Sequence, residues 1–322
     1  MHTAAHLTKL YEQAFNNNNF NNNPTGLYDP VNHIMNIKGK RIRPLLLLMS
    51  CDFFGGNVDE ALKPAFAMEV FHNFTLVHDD IMDAAEIRRG EPTVHIKYGV
   101  NAGILAGDVM LAYAYKNLCS VPADKVPTMI EVFNKTAIEI FEGQQMDMDF
   151  EKRTDVKETE YLKMVEYKTS VLLACSLQLG AALAGAAEVD QQLIYEFGLN
   201  LGLSFQITDD YLDAFGEAEK VGKRIGGDIL NNKKTYLFIT ALNNASGAQK
   251  QQLLQLLHEK DEERKIAEVK HLFNETGATQ KTLNKANELY NLAIASLQKI
   301  NAPSSTKQPL LQLAEQISNR QF

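Results

Sequence analysis

A cluster of carboxylates occurs twice in this chain of 322 residues. Asp79-Asp80-Ile81-Met82-Asp83 and Asp209-Asp210-Tyr211-Leu212-Asp213 both read DDxxD, and each lies inside an otherwise apolar stretch. Residues four apart share a helix face, so Asp79 and Asp83 point the same way, as do Asp209 and Asp213. Three carboxylates within about one helical turn repel one another unless positive charge sits between them. A hard divalent cation is the natural partner. Mg²⁺ takes oxygen ligands, retains water and shares one or two carboxylates with substrate phosphates. The chain is therefore expected to bring two acidic helical turns, about 130 residues apart, to face one phosphate-bearing ligand.

Periodicity supports helices throughout. Segments such as LLQLLHEKDEERKIAEVKHLF and LNKANELYNLAIASLQKI repeat apolar residues three and four apart. Glycine and proline fall mostly between such segments. Neither recurring hairpins nor a strand–turn–helix alternation is visible. The expected fold class is all-α, one domain spanning 1–322, with a motif-bearing core over about 38–240 and peripheral helices over about 243–322. Asn16 to Asn23 reads as a loop or helix break.

Composition narrows the function. At 45% hydrophobic the chain can bury a large core. It has no uninterrupted apolar run long enough for a membrane span. The N-terminus lacks the basic start and apolar run of a signal peptide, and the expected location, from the cysteine usage, is a reducing cytoplasm. Cys51, Cys119 and Cys175 are widely spaced and read as buried thiols, not as disulfides or zinc ligands. A net charge of −8 argues against general nucleic-acid binding. An acidic protein that binds phosphates must gather its cations locally.

Such local gatherings exist. Gly39-Lys40-Arg41-Ile42-Arg43-Pro44 places three cations at a helix junction, where glycine ends one helix and proline starts the next. Arginine offers a planar fork to phosphate and lysine a mobile point charge. His72 lies two turns before Asp79, and Arg88-Arg89-Gly90 follows Asp83. Lys168-Thr169 interrupts an apolar helical run, where a lysine needs an anionic partner or a route to the surface. After the second cluster come Gly222-Lys223, Gly226-Gly227-Asp228 and Lys233-Lys234-Thr235. This stretch lacks the GxxxxGK[ST] spacing of a nucleotide-binding P-loop.

Taken in order, GKRIRP, HxxxLxHDDxxD with RRG, KT, and FQxxDDYLD with GK, GGD and KKT resemble the trans-isoprenyl diphosphate synthases, or polyprenyl synthetases. The resemblance covers about residues 38–240. It implies the isoprenoid synthase fold, an antiparallel helical barrel around a deep central cavity, usually paired as a homodimer. It also implies Mg²⁺, three ions per site, held by Asp79, Asp83 and Asp209, with Asp80, Asp210 and Asp213 outer or bridging. Arg88, Lys168 and Lys223 would contact an allylic diphosphate (dimethylallyl, geranyl or farnesyl), and Lys233 from further out. Thr169 and Gln206 would lie near the reacting carbons. Lys40, Arg43, His72 and Arg89 would form a metal-free site for isopentenyl diphosphate. Gln144 and Asp147 match the family's GQxxD and would support the metal wall. Arg320 is a candidate to close over the site.

Product length follows from the helix that precedes Asp79. At about 1.5 Å per residue, Phe74 lies roughly 7–8 Å below Asp79 and Phe71 roughly 12 Å. Thr75 is small. An aromatic residue five positions before the cluster, but not four, resembles the family's twenty-carbon pattern. Geranylgeranyl diphosphate is the expected product and farnesyl diphosphate the alternative. The competing expectation of another class is a non-catalytic subunit of a heteromeric synthase; such subunits typically lose aspartates or basic residues from these motifs, and this chain retains them.

Overall fold

The computed structural model describes residues 2–15, 20–216 and 225–319. Among them the chain is almost wholly helical. The N-terminal part comprises α1 (Ala4–Phe15), α2 (Thr25–Asn36), α3 (Ile42–Phe53) and α4 (Val58–Met82). A two-residue hairpin follows, β1 (Ile87–Arg88) and β2 (Glu91–Pro92). Then come α5 (Val94–Tyr98), α6 (Val100–Leu118), α7 (Val126–Glu151) and α8 (Glu158–Val165). A π-helical segment, Glu166–Ser170, leads into α9 (Val171–Leu183) and α10 (Glu188–Phe215). The remainder is α11 (Gly227–Leu230), α12 (Tyr236–Asn244), α13 (Gly247–Leu256), α14 (Glu262–Glu275), α15 (Ala278–Lys299) and α16 (Ser304–Asn319).

Local chemistry sets several boundaries. The Asn57 side chain accepts from Asp59 N to cap α4, and Asp59 and Glu60 complement the positive end of its dipole. Pro44 lies in the first turn of α3, where a missing N–H costs nothing. Arg41, in the left-handed region at φ 48°, is the N-cap of that helix. The preceding helix ends at Asn36, so Gly39 sits in the connecting loop and does not cap it. The hairpin turn, Arg89-Gly90, has φ of 53° and 85°. Positive φ at both central residues suits the right-handed twist of its strands.

Helices α4 and α9 are buried almost all round, as expected of elements at the centre of a bundle. α4 packs on α3 and α6, α9 on α3, α10 and α7, and α7 returns to α6, so these helices close into a ring. The fold is the all-α helical barrel anticipated above. The main apolar core takes in Phe71, Phe133, Leu177 and Phe197, together with Leu297 and Leu313 from the last two helices. α15 packs along α10; the helices expected at the periphery are therefore partly built into the core. Cys51 and Cys175 are buried and free, whereas Cys119, expected inside, is exposed. No helix among the described residues is long and apolar enough to cross a membrane.

Candidate active site

Both aspartate clusters lie at the C-terminal ends of long helices, α4 and α10. A helix C-terminus already carries partial negative charge. Stacking three carboxylates there increases the demand for cations.

On the first wall, burial pushes Asp79 up to about 6, with Lys168 opposing the shift and Asp83 adding to it. Asp80 is buried. Arg88 forks onto it, with Nε at 2.8 Å and Nη2 at 2.7 Å. Arg88, expected on a diphosphate, is thus committed at least in part to a carboxylate. On the second wall, Asp210 is buried and accepts from Tyr161 Oη at 2.5 Å, Tyr236 N at 3.2 Å and Gln206 Nε2 at 3.2 Å. Burial raises it to about 7 despite the Tyr161 hydrogen bond. Gln206, expected beside the reacting carbons, donates to this structural aspartate. Asp213 accepts from Asp228 N at 2.9 Å and so anchors the GGD turn.

Two lysines stand among these carboxylates. Lys168 Nζ lies 2.5 Å from Asp147 Oδ2, which brings the GQxxD helix α7 to the KT segment. Lys233 lies 3.7 Å from Asp228. Burial by itself would lower the Lys233 ammonium, but Asp228, Asp147, Asp83 and Asp210 outweigh it and raise the pKa. Groups from both aspartate clusters therefore act on one ammonium.

The π segment places Lys168 and Thr169. Gly143 of α7 and Gly202 of α10 clamp it from two sides. A Cβ on Gly143 would collide with Lys168 N, and one on Gly202 would lie 2.8 Å from Ser170 Cα. Neither collision can be relieved by a side-chain rotation.

A second charged group forms around His72. Burial, then Arg43 and Arg89, hold the imidazole well below its usual pKa, so the ring is neutral. Burial lowers Arg43 to about 10. Arg89 is lowered by burial as well. Glu69 opposes both shifts. Arg41 is not part of this surface: it pairs with buried Glu69 and donates to Met35 O at 2.7 Å. Glu69 also accepts from Asn73 Nδ2 at 2.9 Å. The sequence reading passed over Glu69, although a lone acid in AFAMEVF demands a partner. Tyr161 was missed too, and Asp228 was read only as part of the GGD motif; the roles of both depend on contacts distant in sequence.

The expected floor residues are buried. Phe71 has no exposure and packs on Phe133, while Phe74 packs on Phe71, His78 and Phe141. Thr75 donates to His72 O at 2.8 Å. Lys223 and Arg320 lie outside the described residues.

The donor set fits a magnesium-type ion bridged to phosphate. Among the described residues no three His, Cys, Asp or Glu side chains converge to cage an ion by themselves. The carboxylate oxygens of the two clusters are nonetheless hard donors of the kind such an ion takes, with water and substrate oxygens to complete it. Arg43 Nε and both amide atoms of Gln144 are buried with no partner among the described residues.

Comparison with known proteins agrees. The sequence pattern of the polyprenyl synthetase family matches residues 24–276. A geranylgeranyl diphosphate synthase of Sulfolobus acidocaldarius is 40% identical, over 86% of each chain. The crystal structure of a geranylgeranyl pyrophosphate synthase superposes with a TM-score of 0.94 at 43% identity, covering 99% of each chain. Another such synthase, from Corynebacterium glutamicum and complexed with isoprenyl diphosphate and magnesium, superposes with a TM-score of 0.84 at 25% identity, covering 98% of this chain and 97% of that one.

Proposed function

The chain belongs to the polyprenyl synthetase family, and from that premise we propose that it joins isopentenyl diphosphate to an allylic diphosphate. The products are a short-chain all-trans prenyl diphosphate, with geranylgeranyl diphosphate as the end point, and pyrophosphate. One observation carries the reading: carboxylates of both clusters act on Lys233, while a separate group of cations acts on neutral His72.

In this reading Asp79, Asp83 and Asp209 hold Mg²⁺, three ions per site, with Asp80, Asp210 and Asp213 outer or bridging. When bound, the ions would neutralise the charge that develops on the departing pyrophosphate. Lys168, Lys233 and Lys223 donate to the allylic diphosphate, as does the edge of Arg88 not used by Asp80. Thr169 and Gln206 turn oxygen dipoles toward the allylic cation. Lys40, Arg43 and Arg89 neutralise isopentenyl diphosphate, and neutral His72 donates a single N–H. Its double bond attacks the allylic carbon, and the departing pyrophosphate takes the proton lost at the end. Exposed Ile104, Leu105 and Ile138 on α6 and α7 support pairing as a homodimer.

The test is product analysis by mass spectrometry, with Mg²⁺, isopentenyl diphosphate and allylic starters of five to fifteen carbons. A twenty-carbon end product is expected. A stop at fifteen carbons would make the chain a farnesyl diphosphate synthase. No elongation from any starter would favour a non-catalytic subunit of a heteromeric enzyme.

A further inference from the structure

A second basic recess lies beside the hairpin. Its walls come from α2, the loop after it, the hairpin and α5, and it is an open depression of about 680 Å³. Lys40, Arg43 and His72 do not line it, but Lys38, Arg89 and Lys97 do. None of these three cations belongs to an ion pair among the described residues, unlike Arg41, Arg88, Lys168 and Lys233. Their hydrogen-bond partners are neutral. Arg89 Nη1 donates to Lys38 O at 3.2 Å, and Lys97 Nζ lies 3.2 Å from His33 Nδ1.

The contact to His33 is built. Its Nε2 lies 2.8 Å from Pro92 O. A carbonyl only accepts, so Nε2 carries the proton and Nδ1 is left to accept from Lys97. The neutral ring fixes the ammonium without cancelling its charge, and two of its N–H bonds remain for a ligand. Two carboxylates, Asp29 and Glu91, share the recess. Among the described residues neither comes within ion-pairing range of a cation. Asp29 is seven residues before Asn36 on α2, about 10 Å along the helix from the Lys38 end.

We infer that this recess is a second diphosphate-binding site, joined through Arg89 to the group around His72. A planar fork flanked by two lysines suits a polyanion with several oxygens. Arg89 lies against Gly39, the residue before Lys40, so closely that a Cβ there would meet its Nη1, and its charge is felt at His72; the guanidinium therefore serves both sites. An anion in the recess draws it outward and weakens the grip on isopentenyl diphosphate. This rests on the reading of Arg89 as an isopentenyl diphosphate contact. The ligand is a diphosphate, either isopentenyl diphosphate in excess or released pyrophosphate.

Calorimetric titration without divalent metal tests the inference, since the aspartate walls then repel diphosphates. Inorganic pyrophosphate and isopentenyl diphosphate are the probes, each titrated into wild type, Lys38→Glu/Lys97→Glu and Lys40→Ala/Arg43→Ala. Two classes of site are expected in wild type. The first variant should lose one class and the second variant the other. Lys38 and Lys97 are exposed, so turnover at saturating substrate should survive in the first variant and report that it is folded. Loss of outer binding for pyrophosphate alone would make the recess a product site; loss for both probes would make it a substrate site too. A single wild-type class, abolished in Lys40→Ala/Arg43→Ala and unchanged in Lys38→Glu/Lys97→Glu, would overturn the inference and leave the role of Arg89 standing. A single class unchanged in both variants, or no binding at all, would overturn both.

Discussion

At the scale of single residues, the site is a set of charges that burial makes costly and neighbours make tolerable. Asp79 and Asp210 show the cost: their carboxyls are raised to about 6 and about 7 mainly by desolvation. Both folded-state values exceed the unfolded ones, so the native state binds the extra protons. The stabilising contribution is fully present at low pH and is lost as pH rises through 6 and 7. The metal-free protein should therefore melt at lower temperature at pH 8 than at pH 6. Added Mg²⁺ should recover the difference at pH 8 and do little at pH 5, which differential scanning fluorimetry can measure. Glu69 shows the other side. It is the buried counter-charge of Arg41 and also acts on Arg43 and Arg89. Glu69→Gln should cost about 3 kcal/mol of stability. It should raise KM for isopentenyl diphosphate more than KM for the allylic substrate, in steady-state kinetics with each substrate varied. The residues of the motifs were legible as chemistry, because carboxylate clusters and cations in apolar runs need partners wherever they fold. The partner chosen was not legible. Asp80 and Asp210 look equivalent to Asp79 and Asp209 in sequence, yet one is forked by Arg88 and the other is held by Tyr161.

At the scale of elements, the sequence periodicity anticipated helices, and the structure adds an irregularity where the chemistry is. The π segment Glu166–Ser170 carries Lys168 and Thr169 between Gly143 and Gly202. A π turn holds one more residue than an α turn and so rephases the side chains that follow. Nothing in MVEYKTSVLL announces this, since it is the close approach of α7 and α10 that selects it. Gly143→Ala and Gly202→Ala should each displace the segment and cost about 1–3 kcal/mol by overpacking. Each should lower kcat and raise KM for the allylic diphosphate, with KM for isopentenyl diphosphate nearly unchanged. A uniform loss of all three parameters in proportion to lost stability would refute a positioning role. The hairpin was not anticipated either: two paired residues on each side give no alternating pattern to read.

At the scale of the whole molecule, the ring of helices decides how deep the site can be. Phe74 packs with Phe71, His78 and Phe141, so under the proposed function the floor would be drawn from α4 and α7 together. Phe74→Ala should open that layer and lengthen the product by at least one five-carbon unit, read by mass spectrometry of the reaction mixture. It should also destabilise by about 3–5 kcal/mol, so thermal melting is needed beside the assay. An unchanged product distribution in folded Phe74→Ala would remove it from the floor. By itself the sequence determined the helical class, the two acidic turns and the grouping of cations, because these follow from local spacing and from the cost of unpartnered charge. Only the tertiary structure decided which carboxylate keeps a protein partner, which arginine is structural, and where α7 and α10 pinch the chain. Those outcomes depend on contacts between residues far apart in sequence, and a side chain's burial and partners exist only once the helices have packed.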